Sequence, residues 1–385
     1  MVSELTLLGI APQSHYEHAL KAFARLPTVH SVTVAGGSWL SAATTRGPIT
    51  LHLSPPEHAG AALVWHTGTR AHLDQLQTRA GRMGLRFAAG VVSRAAGPAL
   101  ACVAEEHLYA MLDLPFIAPE LRSGGGEIEA AERGDLPHLV SDSHIRGDLH
   151  AHTTWSDGRD TLAAMVSAAR ELGYEYFAIT DHSERAPASR VLSASDVSAQ
   201  RAEIKALRAA VPGMDILHGV EVDIMPDGTL DFDDEVLAGF DIVLASLHDA
   251  ADDDGQRLTE RCLRAIRHPL VNIITHPVNR RPGRSRGYSL NLDRLLAAAA
   301  ETGTAMEVDG APDHLDMDGL VARRAAAAGV TIAVDSDCHR APTLGQQMQF
   351  GVGTARRGWV EPRHVLNTRG ADDVRAFIAR KRARA

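Results

Sequence analysis

Residues 160–182 read DTLAAMVSAARELGYEYFAITDH. Leu162, Met165, Ala169 and Leu172 recur at helical spacing behind Asp160, a residue type that caps helix N-termini. Gly173 stops the helix, and Tyr176 to Thr180 is a short apolar run of the buried-strand kind that ends on Asp181-His182. The same unit returns down the chain. A helix over Val197–Ala210 leads to a strand over Asp215–Val220 and then Glu221. A loop and helix lead to Ile242–Leu247 and His248, and a helix over Leu258–Ile266 leads to Val271–Thr275 and His276. Leu292–Ala300 leads to Ala305–Val308, and Leu320–Ala328 leads to Val330–Val334, followed by Asp337 and His339. Strands alternating with helices imply a parallel sheet, and six or seven such units with chemistry at the strand ends imply closure into a TIM-like α/β barrel.

Upstream of the repeat stand His150 and His152, and then Asp157. The candidate ligand set is therefore His150, His152, Asp157, His182, Glu221, His248, His276, Asp337 and His339. Residues two apart on a strand share a face, so His150 and His152 can share an ion, whereas Cys338, between Asp337 and His339, points away and packs. Imidazole and carboxylate without thiolate suit Zn, Mn or Fe and argue against a closed structural zinc site. A polynuclear centre of this kind makes hydroxide near neutral pH and points to hydrolysis. Asp181 is expected to substitute for or orient His182, or to cap the following turn; His144 and His268 fall outside the pattern.

The 385 residues are 45% apolar and 4% aromatic with a formal charge of −9, a globular composition that argues against a large basic nucleic-acid surface. Part of the negative charge is carboxylate that bound cations would cancel. Arginines nonetheless cluster at Arg280, Arg281, Arg284 and Arg286, just after His276. The tail group Arg380, Lys381, Arg382 and Arg384 reads as solvated surface. Cys102, Cys262 and Cys338 have no paired spacing, which fits a reducing cytoplasm. No leader pattern and no run of about 18 apolar residues occurs, so neither a signal peptide nor a membrane span is expected.

Ser123–Gly126 and the polar run 131–143 separate this region from an N-terminal one. There, helices are expected over Tyr16–Leu26 and Thr69–Gly81, and strands over Val32–Ala35, Ile49–Leu53 and Leu85–Val92.

Taken in order, several motifs resemble those of the PHP (polymerase and histidinol phosphatase) family over about residues 145–370. They are Arg146-Gly147-Asp148-Leu149-His150-Ala151-His152, Ser156-Asp157-Gly158, Ile179-Thr180-Asp181-His182-Ser183, Gly219-Val220-Glu221-Val222-Asp223, Ser246-Leu247-His248, Thr275-His276-Pro277 and Asp335-Ser336-Asp337-Cys338-His339. The resemblance implies a distorted (β/α)7 barrel over 145–385 that holds three divalent ions, Mn2+, Zn2+ or Fe2+. By position, His150, His152, Glu221 and Asp337 would hold the first ion. Glu221 would bridge to a second held by His248 and His276, and Asp157, His182 and His339 would hold the third. Aspartate at 157 is the form usual in bacterial X-family DNA polymerases.

Glu127-Ile128-Glu129-Ala130-Ala131, Gly173-Tyr174-Glu175-Tyr176 and Ala355-Arg356-Arg357-Gly358-Trp359 resemble that subfamily too. His66-Thr67-Gly68-Thr69-Arg70-Ala71-His72 looks like its thumb motif, and Leu114 to Arg122 like the end of that region. Gly36-Gly37-Ser38 resembles the start of its palm, but the Asp-x-Asp that should follow is missing. Ile49-Thr50-Leu51 occupies the place of the third metal-binding aspartate, and residues 1–122 contain only Asp74 and Asp113. Residues 1–140 therefore read as a small α+β palm/thumb remnant without a polymerase site, and the helical DNA-binding module is expected to be absent.

The resemblance implies a metal-dependent phosphoesterase that works through a metal-bridging hydroxide. Its expected activity is 3′–5′ exonuclease or 3′-end processing of DNA, with a small-molecule phosphatase of the histidinol-phosphate type as the alternative. Arg280 or Arg281 is the expected phosphate clamp; Arg146 is another candidate, with an ion pair to Asp148 as its structural alternative.

Overall fold

The computed structural model describes residues 5–248 and 254–383 and divides the chain into two compact units, Met1–Leu136 and Pro137–Ala385. In the first unit, β1 (Leu5–Ile10), β2 (Val29–Ala35), β3 (Trp39–Thr44) and β4 (Gly47–Ser54) form a sheet in the order β1-β4-β3-β2. β1 runs parallel to β4; the other neighbours are antiparallel. Helix Tyr16–Ala24 packs Tyr16 and Leu20 into one buried cluster with Leu40, Ala42 and Leu53.

Helices Ala59–Thr67, Arg70–Arg82, Glu105–Met111 and Glu127–Arg133 follow, with a small antiparallel sheet of β5 (Leu85–Ala88), β6 (Val91–Arg94) and β7 (Ala99–Leu100). The single strand expected over Leu85–Val92 is thus a hairpin. Ala89 and Gly90 turn the chain with φ of 50° and 75°, the left-handed pair that matches strand twist. Thr69 is the cap of its helix rather than its first residue, its hydroxyl accepting from the His72 N–H. The buried His72 ring lies between Glu127 Oε1 (2.7 Å) and the Tyr109 hydroxyl (3.0 Å), which ties three of these helices together.

The second unit is the expected barrel. β8 (Gly147–Asp148), β9 (Tyr176–Ile179), β10 (Asp215–Asp223), β11 (Ile242–Ser246), β12 (Ile273–Ile274), β13 (Ala305–Asp309) and β14 (Ile332–Asp335) pair in sequence order, all parallel. Helices Leu162–Glu171, Val197–Ala210, Asp234–Ala238, Gly255–Arg267, Leu292–Thr302 and Gly319–Ala327 alternate with the strands. The first of them is capped by Thr161, whose hydroxyl accepts from Ala164 N–H, and not by Asp160, which accepts from Ala341 N–H. One face of Tyr176, Ala178, Leu217, Leu244, Ile273, Ala305 and Ala333 forms an apolar layer with Val374, Phe377 and Ile378 of the last helix, Ala371–Arg382.

That helix also corrects the reading of the basic tail as solvated. Lys381 is buried and its Nζ donates to the Ile266 carbonyl at a helix C-terminus, while Arg382 donates to the Phe240 carbonyl. Arg380 is exposed, and Arg384 lies outside the described residues.

β14 and β8 are the two ends of the strand order, and the seam between them is closed by side chains. Asp335 accepts from the Leu149 N–H (2.8 Å), Asp148 accepts from the Ser336 N–H (3.2 Å), and Ala151 bridges to Cys338. Asn367, fully buried, accepts from Val334 N–H (2.8 Å) and donates to Asp335 (2.7 Å) and the Gly147 carbonyl (3.2 Å). Removing that amide strands a buried N–H and a carboxylate. Asn367→Ala is expected to lower the unfolding free energy by about 2–4 kcal/mol, measured by urea denaturation, and a loss below about 0.5 kcal/mol would contradict the seam's role.

Candidate metal centre

Same-face positions on the barrel strands climb from apolar to polar. Leu217 lies in the lower layer and Glu221 four residues on; Leu244 is followed by Ser246 and His248, and Ala333 by Asp335 and Asp337. The mouth therefore collects ligand atoms because each strand continues its inward face past the apolar layer. Glu221 lies within β10, one of its last residues rather than the residue after it.

Glu221 is fully buried, and five imidazoles surround its carboxylate. Oε2 lies 3.4 Å from His150 Nε2, 3.6 Å from His152 Nε2 and 2.8 Å from His182 Nδ1. Oε1 lies 3.0 Å from His276 Nε2 and 3.6 Å from His248 Nε2. Asp337 Oδ1 sits 3.0 Å from His152 Nε2 and 3.5 Å from His150 Nε2. Asp157 Oδ1 is 3.2 Å from His339 Nε2 and 3.6 Å from His182 Nε2. The nine predicted ligands thus meet at one place.

Among the described residues, three groups have ligand atoms close enough for an ion: His152, Asp157, His182 and His339; His150, His152 and Glu221; and His182, Glu221 and His248. The donors fit divalent cations. Glu221 Oε2, His152 Nδ1, His182 Nδ1, His276 Nδ1 and Asp157 Oδ1 are buried without hydrogen-bond partners. The 2.8 Å approach of His182 Nδ1 to Glu221 Oε2 lacks hydrogen-bond geometry. Buried polar atoms usually have partners, and a divalent cation is a partner that these would accept. The mouth carries His, Asp and Glu clusters consistent with a multinuclear metal site.

Backbone strain gathers at the same place, with left-handed φ at His276 (24°), Asn279 (49°), Leu315 (44°) and Asp337 (48°).

Carboxylates that reach no ion orient the imidazoles. His150 Nδ1–H donates to Glu307 Oε1 (2.6 Å), leaving the Nε2 lone pair free. Glu307 Oε2 also accepts the His276 backbone N–H (2.7 Å), so one side chain sets two ligands. Asp223 does the same for His248 through Nδ1 (3.1 Å), and the Asp337 carbonyl for His339 (3.0 Å). Glu307 and Asp223 went unassigned in the sequence. The signal was there for Glu307: an acid at the centre of an apolar strand, in step with the inward face. Asp181 does not touch an imidazole either; it gathers five donors from Thr153, Ser156 and Gln200.

Burial resists charge on Glu221 and Asp337, but the surrounding histidines hold both carboxyls well below the usual range. Burial pushes the His152 imidazole down to about 3, with His339 and His182 adding to the effect. His248 and His339 go the other way. Burial opposes their charge, but Glu221 and Asp223 for His248, and Asp157 and Asp337 for His339, raise both to about 9.

The three expected arginines part company. Arg281 lines a cavity of about 230 Å³ at the mouth, together with Asp157, His182, Glu221, His276 and Asp337. Arg280 instead lies 3.4 Å from Asp318, and its backbone N–H faces Asp316. Arg146 sits at the start of β8, four residues before His150, or about 13 Å along an extended chain. Its guanidinium holds Glu175, not Asp148, so the structure does not bring it to the mouth.

His314 was missed. It lines the same cavity with its ring 4.9 Å from that of His276, and burial beside His276 pushes its pKa down to about 4. Its signal was a histidine in the loop after β13, the strand left without a ligand. The other two histidines set aside are structural: His144 closes a capping turn with Ser141, and His268 faces Asp234 at 3.1 Å. Cys338 is buried with its thiol on the Arg340 carbonyl, away from the ligands.

Comparison with known proteins agrees with this geometry. The PHP domain model matches residues 148–278, and a DNA polymerase beta thumb model matches 62–123. A probable phosphatase of Thermoanaerobacter sp. is 32% identical over 232 residues, 57% of this chain and 89% of its own length. The chain belongs to the PHP family. The DNA polymerase/3'-5' exonuclease PolX of Bacillus subtilis is 36% identical over 375 residues, 96% of this chain. The chain spans 65% of the length of that relative. Histidinol phosphate phosphatase of Lactococcus lactis, solved with zinc, L-histidinol and phosphate, aligns at 18% identity and a TM-score of 0.44, over 56% of this chain and 94% of its own. The PHP barrel is of the metal-dependent phosphoesterase kind. No helix among the described residues is long and apolar enough to cross a membrane.

With His248 and His339 both raised to about 9, each carries a proton at pH 7 that an arriving cation must displace. Loading the PHP site with Mn2+ is therefore expected to release protons at pH 7 and to tighten as pH rises toward 9. Calorimetry in buffers of different ionisation enthalpy reads both; proton-neutral binding with an affinity flat from pH 6 to 9 would contradict the assignment.

Proposed function

We propose that this PHP protein removes nucleotides from DNA 3′ ends as a three-metal 3′–5′ exonuclease and does not polymerise. One observation carries the reading: the likeness to PolX runs over 96% of the chain and is not confined to the barrel, and the thumb model matches residues 62–123. Divalent ions at such a site lower the pKa of water and neutralise phosphoryl charge. The chain's own residues do the rest. Glu221 and Asp337 stay ionised under the imidazoles, Glu307 and Asp223 hold two of those imidazoles with their lone pairs inward, and Arg281 meets the phosphate with a bidentate fork. In the three-ion assignment, Asp157, His182 and His339 hold one ion. Glu221 would serve the other two, with His150, His152 and Asp337 holding one and His248 and His276 the other.

Loss of polymerisation is supported by the missing acids. Residues 5–54, which carry the whole β1–β4 sheet, contain one carboxylate, Glu17, and it pairs with Lys21. At the place of the third palm aspartate, Thr50 shares a hydrogen bond with Ser41 (2.6 Å). Two-metal nucleotidyl transfer has no carboxylates to work with there.

A second reading, hydrolysis of a small phosphomonoester, is favoured by the cavity of about 230 Å³ and by the phosphatase that matches 89% of its own length. A paired assay of Mn2+-loaded protein separates the two. Release of mononucleotides from 3′-labelled single-stranded DNA is expected; turnover of histidinol phosphate alone would replace the first reading by the second, and nucleotide incorporation would overturn the loss of polymerisation. In the same assay Arg281→Ala is expected to lower kcat/KM by about 100-fold, with Arg146→Ala within about twofold of the parent. Equal effects of the two substitutions would remove Arg281 from its role.

A further inference from the structure

Asp181 is fully buried at the mouth of the barrel, yet its carboxylate is taken up entirely by the protein. Oδ1 accepts from the backbone N–H groups of Thr153 (2.8 Å) and Ser156 (3.1 Å) and from the Ser156 hydroxyl (2.6 Å). Oδ2 accepts from the Thr153 hydroxyl (2.7 Å) and from Gln200 Nε2 (2.7 Å). Thr153 follows His152, Ser156 precedes Asp157, and Asp181 itself precedes His182. The chain at three of the four members of the group His152, Asp157, His182 and His339 is thus fixed to one carboxylate. The fourth is tied to the same loop, because the His339 carbonyl accepts from Arg159 N–H (2.8 Å).

Gln200 sets where that carboxylate sits. It is buried on helix Val197–Ala210, and while its Nε2 donates to Asp181 its Oε1 accepts from His218 Nε2 (2.9 Å) on β10. The side-chain amide offers a donor to the carboxylate and an acceptor to the imidazole at once. The rest of the centre is held by different residues: Glu307 for His150 and His276, and Asp223 for His248.

We infer that Gln200 is a positioning residue for one ion of the centre, acting through Asp181 on the group of Asp157, His182 and His339, and that the other ions, of whose ligands only His152 adjoins a partner of the Asp181 carboxylate, are held chiefly by other residues. The inference rests on the multinuclear reading of the site. Its purpose follows from the geometry. A fully buried carboxylate with five donors is rigid, so the loop 153–157 presents Asp157 at a fixed place without Asp181 spending a lone pair on the ion.

The test uses the full chain loaded with Mn2+. Gln200→Met keeps the volume and removes both hydrogen bonds; Thr153→Val removes one bond to Asp181 and keeps the backbone bond. Metal analysis and competition titration are expected to show one Mn2+ fewer per chain at limiting free metal in Gln200→Met. Its affinity for that ion should fall about 10–100-fold while the others keep theirs, and Thr153→Val should change in the same direction by less. Electron paramagnetic resonance gives an independent readout, as the coupling between neighbouring Mn2+ ions changes when one leaves. A full complement at parental affinity in both variants overturns the inference and leaves the metal centre standing; so does an equal weakening of every ion. If Gln200→Met does not fold, Thr153→Val decides by the same criteria. A parent chain that binds no Mn2+ overturns the inference and the metal reading together.

Discussion

A carboxylate with no exposed surface is costly to keep charged, and in this protein the mouth of the barrel is arranged around one. Glu221 stays ionised because five imidazoles face it, and those imidazoles come from loops and strands between residues 150 and 276. The constraint is mutual. Imidazoles and carboxylates packed this closely are donors for cations, and Glu221 Oε2, which has no hydrogen-bond partner, marks where one fits. The parallel strands exist to bring these groups together. Each has an apolar lower position that packs with the last helix and a polar upper one that reaches the mouth.

Around that centre lies a ring of carboxylates that bind no ion. Glu307, Asp223 and Asp181 fix imidazole tautomers and loop backbone with hydrogen bonds of 2.6–3.1 Å. Burial raises the carboxyls of Glu307, to about 8, and of Asp181, and the donors supplied to each oppose that rise. The N-terminal unit follows a different logic. Its buried polar residues, His72 with Glu127 and Arg122 with Glu105, join helices to one another, and the sheet in front of them carries almost no acid. The family likeness extends over this unit too, with the thumb match at residues 62–123.

The barrel and the convergence of the nine candidate residues were legible because helix, strand and a polar residue at the strand end recur along the chain, and the i, i+2 rule fixes which side chains share a face. What was not legible depended on contacts between distant segments. Arg146 lies close to His150 in sequence, but the strand between them carries them to opposite ends, where Glu175 waits. Arg280 and Arg281 are neighbours, yet one turns to Asp318 and the other to the cavity. Lys381 and Arg382 looked like solvated charge because the carbonyls they cap, on Ile266 and Phe240, are more than a hundred residues away. Asp160 and Thr161 are both good caps, and only the fold shows that Asp160 is engaged by Ala341. His314 gave the weakest signal, a lone histidine in a loop.

The most direct measurement is a crystal structure of Mn2+-loaded protein with anomalous diffraction recorded at the manganese edge. This account predicts more than one anomalous peak at the barrel mouth, with one or more about 2.0–2.2 Å from a Glu221 carboxylate oxygen and the His150, His152, His248 and His276 imidazoles turned toward them. A single peak away from Glu221, or a mouth in which the imidazoles bind nothing, would contradict it.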